Sequence, residues 1–384
     1  MVQSKLPETQ GSLFWEMRRL ALEKNAIDMS VGMTEFECHP RLAELAAGFI
    51  KEGVSNYAPL EGIMSLRERI SELTERLYGR SYSPKTEITI CAGHVQAIST
   101  AISSVVNEGD EVIVFEPAYF TYAPAVRLNG GMPVFVPLKE PGFKVDWEDL
   151  RKMINSKTRL IILNSPHNPT GSVFGKEDLA QLQRLTNGTG IYIVSDEMFE
   201  HLVFDEQKHL SMAQFDSLAA RSFVVSSPGP LFHINGWGLA WCLAPAPLMA
   251  EFRKIHEHQI YNVNTPFQQA LARFLEQPAL PEEITEFYQG KRNYFNRLLK
   301  GSPFSLQPTE GTYFQLVGYQ QLSNEPDYQF ALRLLNEAGV AATPLSVFMH
   351  KKNLQYLRFC FAKKNETLDE VARRLIAFAE KNRL

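Results

Sequence analysis

Several residues in this chain are placed where they could do chemistry. Asp196 follows an apolar run at residues 191–194. A carboxylate at the end of a buried strand needs a partner, because an unpaired buried charge is costly; the plainer role is a loop or helix cap. Arg358 lies between Leu357 and Phe359, and its planar guanidinium suits bidentate capture of a carboxylate. The alternative is the solvent face of an edge strand. Residues 164–171 read Asn-Ser-Pro-His-Asn-Pro-Thr-Gly, and residues 227–238 read Ser-Pro-Gly-Pro-Leu-Phe-His-Ile-Asn-Gly-Trp-Gly. Both are turn-rich strings, as their Asn, Pro and Gly content dictates. Tyr119 follows an apolar stretch and is either a stacking platform or core. His94 and His233 are the candidate bases; a histidine at a helix N-terminus is shifted towards its neutral form, although a lone histidine is more often structural.

Composition narrows the partners. The chain has 384 residues, 45% hydrophobic and 21% charged, with a formal net charge of -4. That supports one large core or two linked ones. With no basic excess, neither a nucleic-acid nor a membrane-surface partner is expected. Cys38, Cys91, Cys242 and Cys360 are far apart and form no CxxC pair, so neither a metal site nor a disulfide framework is expected. Residues 1–9 are polar. With no apolar h-region there and no membrane-length apolar run, the expectation is a cytoplasmic protein without a signal peptide.

The elements that position these residues alternate in kind. Short β-branched runs at 87–90, 111–115, 160–163, 191–195 and 223–226 read as strands. Helical spacing appears at 95–106, 147–154 and 176–185. Such alternation predicts an α/β fold with a mainly parallel sheet covered on both faces. Functional residues then collect at the carboxyl ends of strands, where residues 116–122, 164–171, 196–199 and 226–238 fall. A break at 277–281 separates a second part, with helical patterns at 283–299 and from 368, and a strand pair near 311–317 and 356–362. That part reads as a smaller α+β domain.

The motifs, in order, resemble those of the fold-type I, class I/II aminotransferases, closest to the methionine/kynurenine type. Tyr57-Ala58-Pro59-Leu60-Glu61-Gly62 with Leu66-Arg67 is similar to Y-x-P-x-x-G-x-x-x-L-R. Glu116-Pro117-Ala118-Tyr119 is similar to D-P-x-Y, and residues 164–171 to N-P-x-N-P-T-G. Ser195-Asp196-Glu197 resembles S-D-E, His233-Ile234-Asn235-Gly236-Trp237 resembles H-x-T-G-W, and residues 311–314 and 357–362 resemble G-T-Y-F and I-R-L-C-F-A. The likeness runs from about residue 27 to 370. It implies a large domain at 45–278, with 1–44 and 279–384 forming the small one.

The resemblance also implies a chemistry. In such proteins pyridoxal phosphate is held as a Schiff base on a lysine, its ring nitrogen by a carboxylate, its phosphate by hydroxyls, amides and a cation. Asp196 takes the ring-nitrogen position and Tyr119 the stacking position, which makes these two the candidate catalytic residues. Asn168 takes the position that donates to the cofactor's phenolic oxygen. Gly93, His94, Val95, Phe199, Ser227 and, across a homodimer interface, Tyr57 complete the cofactor positions. Arg358, Asn168 and Gly32 take the substrate positions. The lysine position itself is Pro230, which has no amine and cannot form an aldimine. No lysine occurs between Lys208 and Lys254. Gly238 stands where a phosphate-binding cation is expected, Leu231 and Val95 where hydroxyls are, and Phe199 where a tyrosine is. The expectation is a lysine-less member with a roomier, more apolar pocket. It binds a small amino or keto acid through Arg358, and pyridoxal phosphate non-covalently or not at all. The alternatives are an enzyme repurposed around Asp196, His94, Tyr119 or His233, and an ordinary transaminase.

Overall fold

The computed structural model describes residues 3–7, 13–276, 281–350 and 354–382. Its centre is a seven-stranded sheet: β1 (Ile88–Cys91), β2 (Glu111–Glu116), β3 (Met132–Pro137), β4 (Thr158–Asn164), β5 (Tyr192–Asp196), β6 (Ser222–Ser226) and β7 (Ala240–Leu243). The order across the sheet is β1-β7-β6-β5-β4-β2-β3. β7 runs antiparallel to both neighbours and the other pairings are parallel. The inner strands read as continuous apolar runs, as strands buried on both faces must. Ile161, Ile193 and Val224 feed one core, and Val114, Ile162, Val194 and Val225 feed the other face.

Each strand predicted in this region is present, with its ends within one or two residues of those expected. The predicted helices appear as His94–Val105, Trp147–Met153 and Lys176–Thr186. Asp146 caps the second, accepting from the Asp149 amide at 3.0 Å. The first starts from Gly93 at φ 85°, a backbone angle that favours glycine.

A second core lies under a four-stranded antiparallel sheet in which Phe314–Gly318 pairs with Tyr356–Cys360, placing Leu316 opposite Arg358. Helices Pro281–Leu299, Asp327–Ala338 and Asn365–Lys381 pack on it. From the N-terminal part, Met17, Ala21 and Met29 join this core, and Ile27–Asp28 pairs in parallel with Val340–Ala341. Helix Pro40–Lys51, which crosses the boundary expected at residue 45, instead buries Leu42 and Ala46 in the large core. The break expected at 277–281 falls, for residues 277–280, outside the described residues.

The second core depends on aromatic packing. Phe330 is fully buried, its ring 3.9 Å from that of Tyr319 and tilted by only 4°. Phe330→Ala is expected to cost about 3–5 kcal/mol, read as a lower urea midpoint. A loss under about 1 kcal/mol would mean the site collapses around the cavity.

Candidate functional site

The carboxyl ends of β2, β4, β5 and β6 converge, as open α/β sheets require of their ligand sites. β5 delivers Asp196, only 4% exposed. Its Oδ2 accepts from the Tyr122 hydroxyl at 2.5 Å and its Oδ1 from the Met198 amide at 3.2 Å. Burial pushes the Asp196 carboxyl up, against the pull of His94 and the Tyr122 bond. Burial pushes the His94 imidazole down, opposed by Asp196. His94 opens its helix with its ring 5.5 Å from that of Tyr119. Burial and the Asp196 charge raise the Tyr119 phenol to about 12.

β4 ends at Asn164, whose side chain ties two of the candidate positions. Its Nδ2 donates to the Asp196 carbonyl at 2.9 Å, and its Oδ1 accepts from the Asn168 amide at 2.8 Å. Asn168 Oδ1 in turn accepts from Arg358 at 2.7 Å. Arg358 is fully buried, also donates to the Ser30 carbonyl at 2.7 Å, and lies 3.9 Å over the Phe314 ring. Burial lowers its guanidinium to about 10, leaving it charged at neutral pH. The Tyr119 and Tyr313 hydroxyls both lie within its electrostatic reach. Gly32 belongs to the same strap as Ser30, and its carbonyl accepts from Tyr313 at 3.2 Å. A Cβ on Gly32 would fall 2.9 Å from the Phe314 ring, so a side chain there would push the strap off the aromatic wall.

The loop after β6 carries the remaining candidates. Gly229–Phe232 forms one short helical turn with Pro230 buried inside it. Proline is tolerated there because first-turn amides have no intrahelical acceptor. Ser227 points inward: its hydroxyl donates to the Leu239 carbonyl at 2.8 Å and accepts from the Gly229 amide at 3.1 Å. Its expected role as a phosphate hydroxyl is therefore already taken by the loop. Val95 is 39% exposed, and Tyr57 is 72% exposed with its ring edge-on to Tyr261.

The expectation of a roomier pocket needs correction. Leu231 and Phe199 are buried in the two main cores, Phe199 packing edge-on against Tyr313 and Phe314. Their methyl and ring surface is absorbed by core packing and adds no pocket volume. Gly238, at φ 62° and facing Gly93, does stand at an open position, with no atom within 4 Å of where its Cβ would lie.

These arrangements match a known family. The family profile "Aminotransferase class I and II" matches residues 24–375. The chain belongs to the class I and II aminotransferases. Methionine aminotransferase of Escherichia coli K12 is 42% identical over 381 residues, covering 97% of each chain. Its solved structure superposes with a TM-score of 0.95 at 41% identity, covering 98% of this chain and 99% of that one. N-succinyldiaminopimelate aminotransferase of Mycobacterium tuberculosis gives a TM-score of 0.95 at 33% identity, covering 99% and 100%. Human kynurenine–oxoglutarate transaminase 3 is 31% identical, covering 88% of this chain and 85% of that protein. The aminotransferase family is pyridoxal phosphate-dependent.

Sequence reading gave no role to three residues that the structure ties to these candidates: Tyr122, Asn164 and Tyr313. Tyr122 follows Tyr119 by three positions, and Asn164 opens the turn string; both signals were present but carried no role. It also missed a buried polar group behind the site. Glu197, Glu200 and His209 bring possible ligand atoms within 4.8 Å of one another. Their carboxylates are already engaged by protein donors. Glu197 accepts from Ser195 at 2.8 Å, from the Met212 amide at 3.0 Å and pairs with His209 at 2.8 Å, while Glu200 accepts from Tyr78 and Ser226. The group braces β5 against β6.

His167 supplies a pH test. It is 6% exposed, its Nδ1 lies 2.7 Å from the Thr170 hydroxyl, and burial lowers its imidazole from 6.5 to about 4. Below its ordinary value the unfolded chain binds the proton that the folded chain refuses. Its contribution is therefore complete above pH 6.5 and is lost as pH falls towards 4. His167→Gln is expected to flatten the decline of stability across that window, followed by urea midpoints at stepped pH. An unchanged slope would place the titration elsewhere.

Proposed function

We propose that this chain is a methionine/kynurenine-type member of the aminotransferase family that has given up the covalent cofactor and binds a small α-amino or α-keto acid through Arg358. The observation that carries the reading is Pro230. It occupies the position that the motif order assigns to the Schiff-base lysine, inside a buried turn. The flanking lysines in sequence, Lys208 and Lys254, are both exposed.

The residues around that position do not fit a tethered pyridoxal phosphate. There is no amine at 230, no cation at 238, no hydroxyl at 95 or 231, and the Ser227 hydroxyl is bonded within its own loop. Asp196 already has a donor on each oxygen. What remains is the acid-binding wall. Arg358 presents a charge whose desolvation is a standing cost, and an incoming carboxylate offsets it. Tyr119 and Tyr313 flank the same space. The relatives named for methionine and kynurenine support an amino or keto acid as the ligand class. The reading makes the working unit a cytoplasmic homodimer, with Tyr57 and Tyr261 on the face that meets the second copy.

Two measurements test this. The chain incubated with pyridoxal phosphate and then reduced with borohydride is expected to show no phosphopyridoxyl adduct by mass spectrometry. A stoichiometric adduct on one lysine would sink the reading and restore a transaminase. Arg358→Gln is expected to weaken binding of L-methionine by about 10- to 150-fold, the equivalent of about 1.5–3 kcal/mol for a charged hydrogen bond. Titration calorimetry on protein shown to be folded by circular dichroism reads it, and unchanged affinity would rule out the clamp.

A further inference from the structure

Asn235 stands apart from its neighbours on the Pro230 loop. Leu231, Phe232 and Ile234 are buried in the large core, whereas Asn235 is exposed. Its side chain is nevertheless placed. Nδ2 donates to the Tyr313 hydroxyl at 3.4 Å, and that hydroxyl donates to the Gly32 carbonyl. Oδ1 lies against Gly229, the residue before Pro230: a Cβ at Gly229 would fall 2.3 Å from it. Among the described residues, no donor within hydrogen-bond distance reaches that oxygen. An exposed asparagine is thus held between the loop that has no lysine and the wall that carries Arg358.

The chemistry of this position differs from that of the Arg358 side. Arg358 offers positive charge and donors only. The Tyr313 hydroxyl, spent as a donor on Gly32, can accept but has no second proton to give. The Asn235 carbonyl oxygen is an acceptor. A ligand that places an anion on Arg358 would therefore meet two acceptor oxygens at its other polar end, Asn235 Oδ1 and the Tyr313 hydroxyl, beside the one Nδ2–H of Asn235 that Tyr313 does not take. An ammonium group can donate to both oxygens at once, whereas a carbonyl oxygen brings lone pairs against both and can take only that one N–H.

Resting on the reading that Arg358 binds the ligand's carboxylate, we infer that Asn235, with Tyr313, makes the site selective for α-amino acids over the matching α-keto acids. Asn235 is then the specificity residue, reading the α-ammonium beside the position a Schiff-base lysine would occupy. The loop needs glycine at 229 for the same reason, since any side chain there would displace the Asn235 carbonyl.

The test uses the full-length chain and two probes, L-methionine and its 2-oxo acid, titrated by calorimetry against wild type, Asn235→Leu, Asn235→Asp and Arg358→Gln. Wild type is expected to prefer the amino acid. Asn235→Leu, which keeps the size and removes the acceptor, should weaken L-methionine by about 10- to 100-fold, the range of a lost charge-assisted bond. It should leave the oxo acid within about threefold. Asn235→Asp should restore or sharpen the preference, because a carboxylate attracts the ammonium and repels the oxo acid. Arg358→Gln should weaken both probes together. If Asn235→Leu shifts both probes equally or neither, while Arg358→Gln still weakens both, the specificity inference fails and the clamp stands. If Arg358→Gln leaves both unchanged, or neither probe binds wild type, the underlying reading fails with it.

Discussion

The site depends on one buried charge. The Arg358 guanidinium bonds Asn168, at the turn after β4, and Ser30, in the N-terminal strap, from a strand of the smaller sheet. Three segments remote in sequence are fixed to one planar group. Burying it is costly, and a guanidinium tolerates burial better than an ammonium because it is more weakly hydrated and spreads its charge. The Phe314 and Phe348 rings, 3.9 and 4.9 Å from its central carbon, supply part of what water would have supplied. Thr343 bonds the same Ser30 carbonyl at 2.7 Å. The strap that carries Gly32 is therefore set by Arg358 and Thr343 before any ligand arrives.

Asp196 shows how the sheet extends this order inward. β5 ends on a carboxylate that is enclosed by Tyr122, the Met198 amide and the His94 ring, and Asn164 locks the strand end to the turn holding Asn168. Behind it, Glu197 and Glu200 fasten β5 to His209, Tyr78 and Ser226. The wall from Asp196 to Arg358 is thus one connected set of hydrogen bonds, and moving any member leaves a buried acceptor without its donor. Such a loss costs about 1–3 kcal/mol per group.

Much of this was legible in the sequence, for identifiable reasons. The strands were visible because parallel strands buried on both faces are spelled with β-branched runs, as at residues 111–115 and 191–195. Asp196 and Arg358 stood out because each is a charge inside an apolar stretch. What could not be read was direction. Ser227 matches a ligand-facing hydroxyl by position, yet its own loop uses it. Leu231 and Phe199 read as changes to a pocket wall, yet both side chains are turned into cores. Spacing along a loop does not fix which side faces the cavity. Tyr122 and Tyr313 were overlooked because an aromatic next to an aromatic reads as core, and their hydroxyl bonds join residues 74 and 281 positions apart.

The same bonds bear on why some positions keep the family's residues and others do not. Asp196, Asn168, Arg358 and Ser227 each make hydrogen bonds that the fold itself requires. Position 230 asks for nothing but a residue compatible with a first helical turn, where proline fits. Position 238 asks for a left-handed backbone, which glycine adopts freely. On the proposed reading, release from a covalent cofactor accounts for this pattern: side chains whose partner was the cofactor go, and those that also hold the fold stay. Keeping Arg358 is then accounted for by the strap and the turn whether or not it meets a ligand. Asn235 is not accounted for in that way. It is exposed, its side-chain bond to Tyr313 is long, and Tyr313 is packed by Phe199, Tyr288 and Phe314 without it. On the proposed reading, the residue least needed by the fold is therefore the one most informative about the ligand.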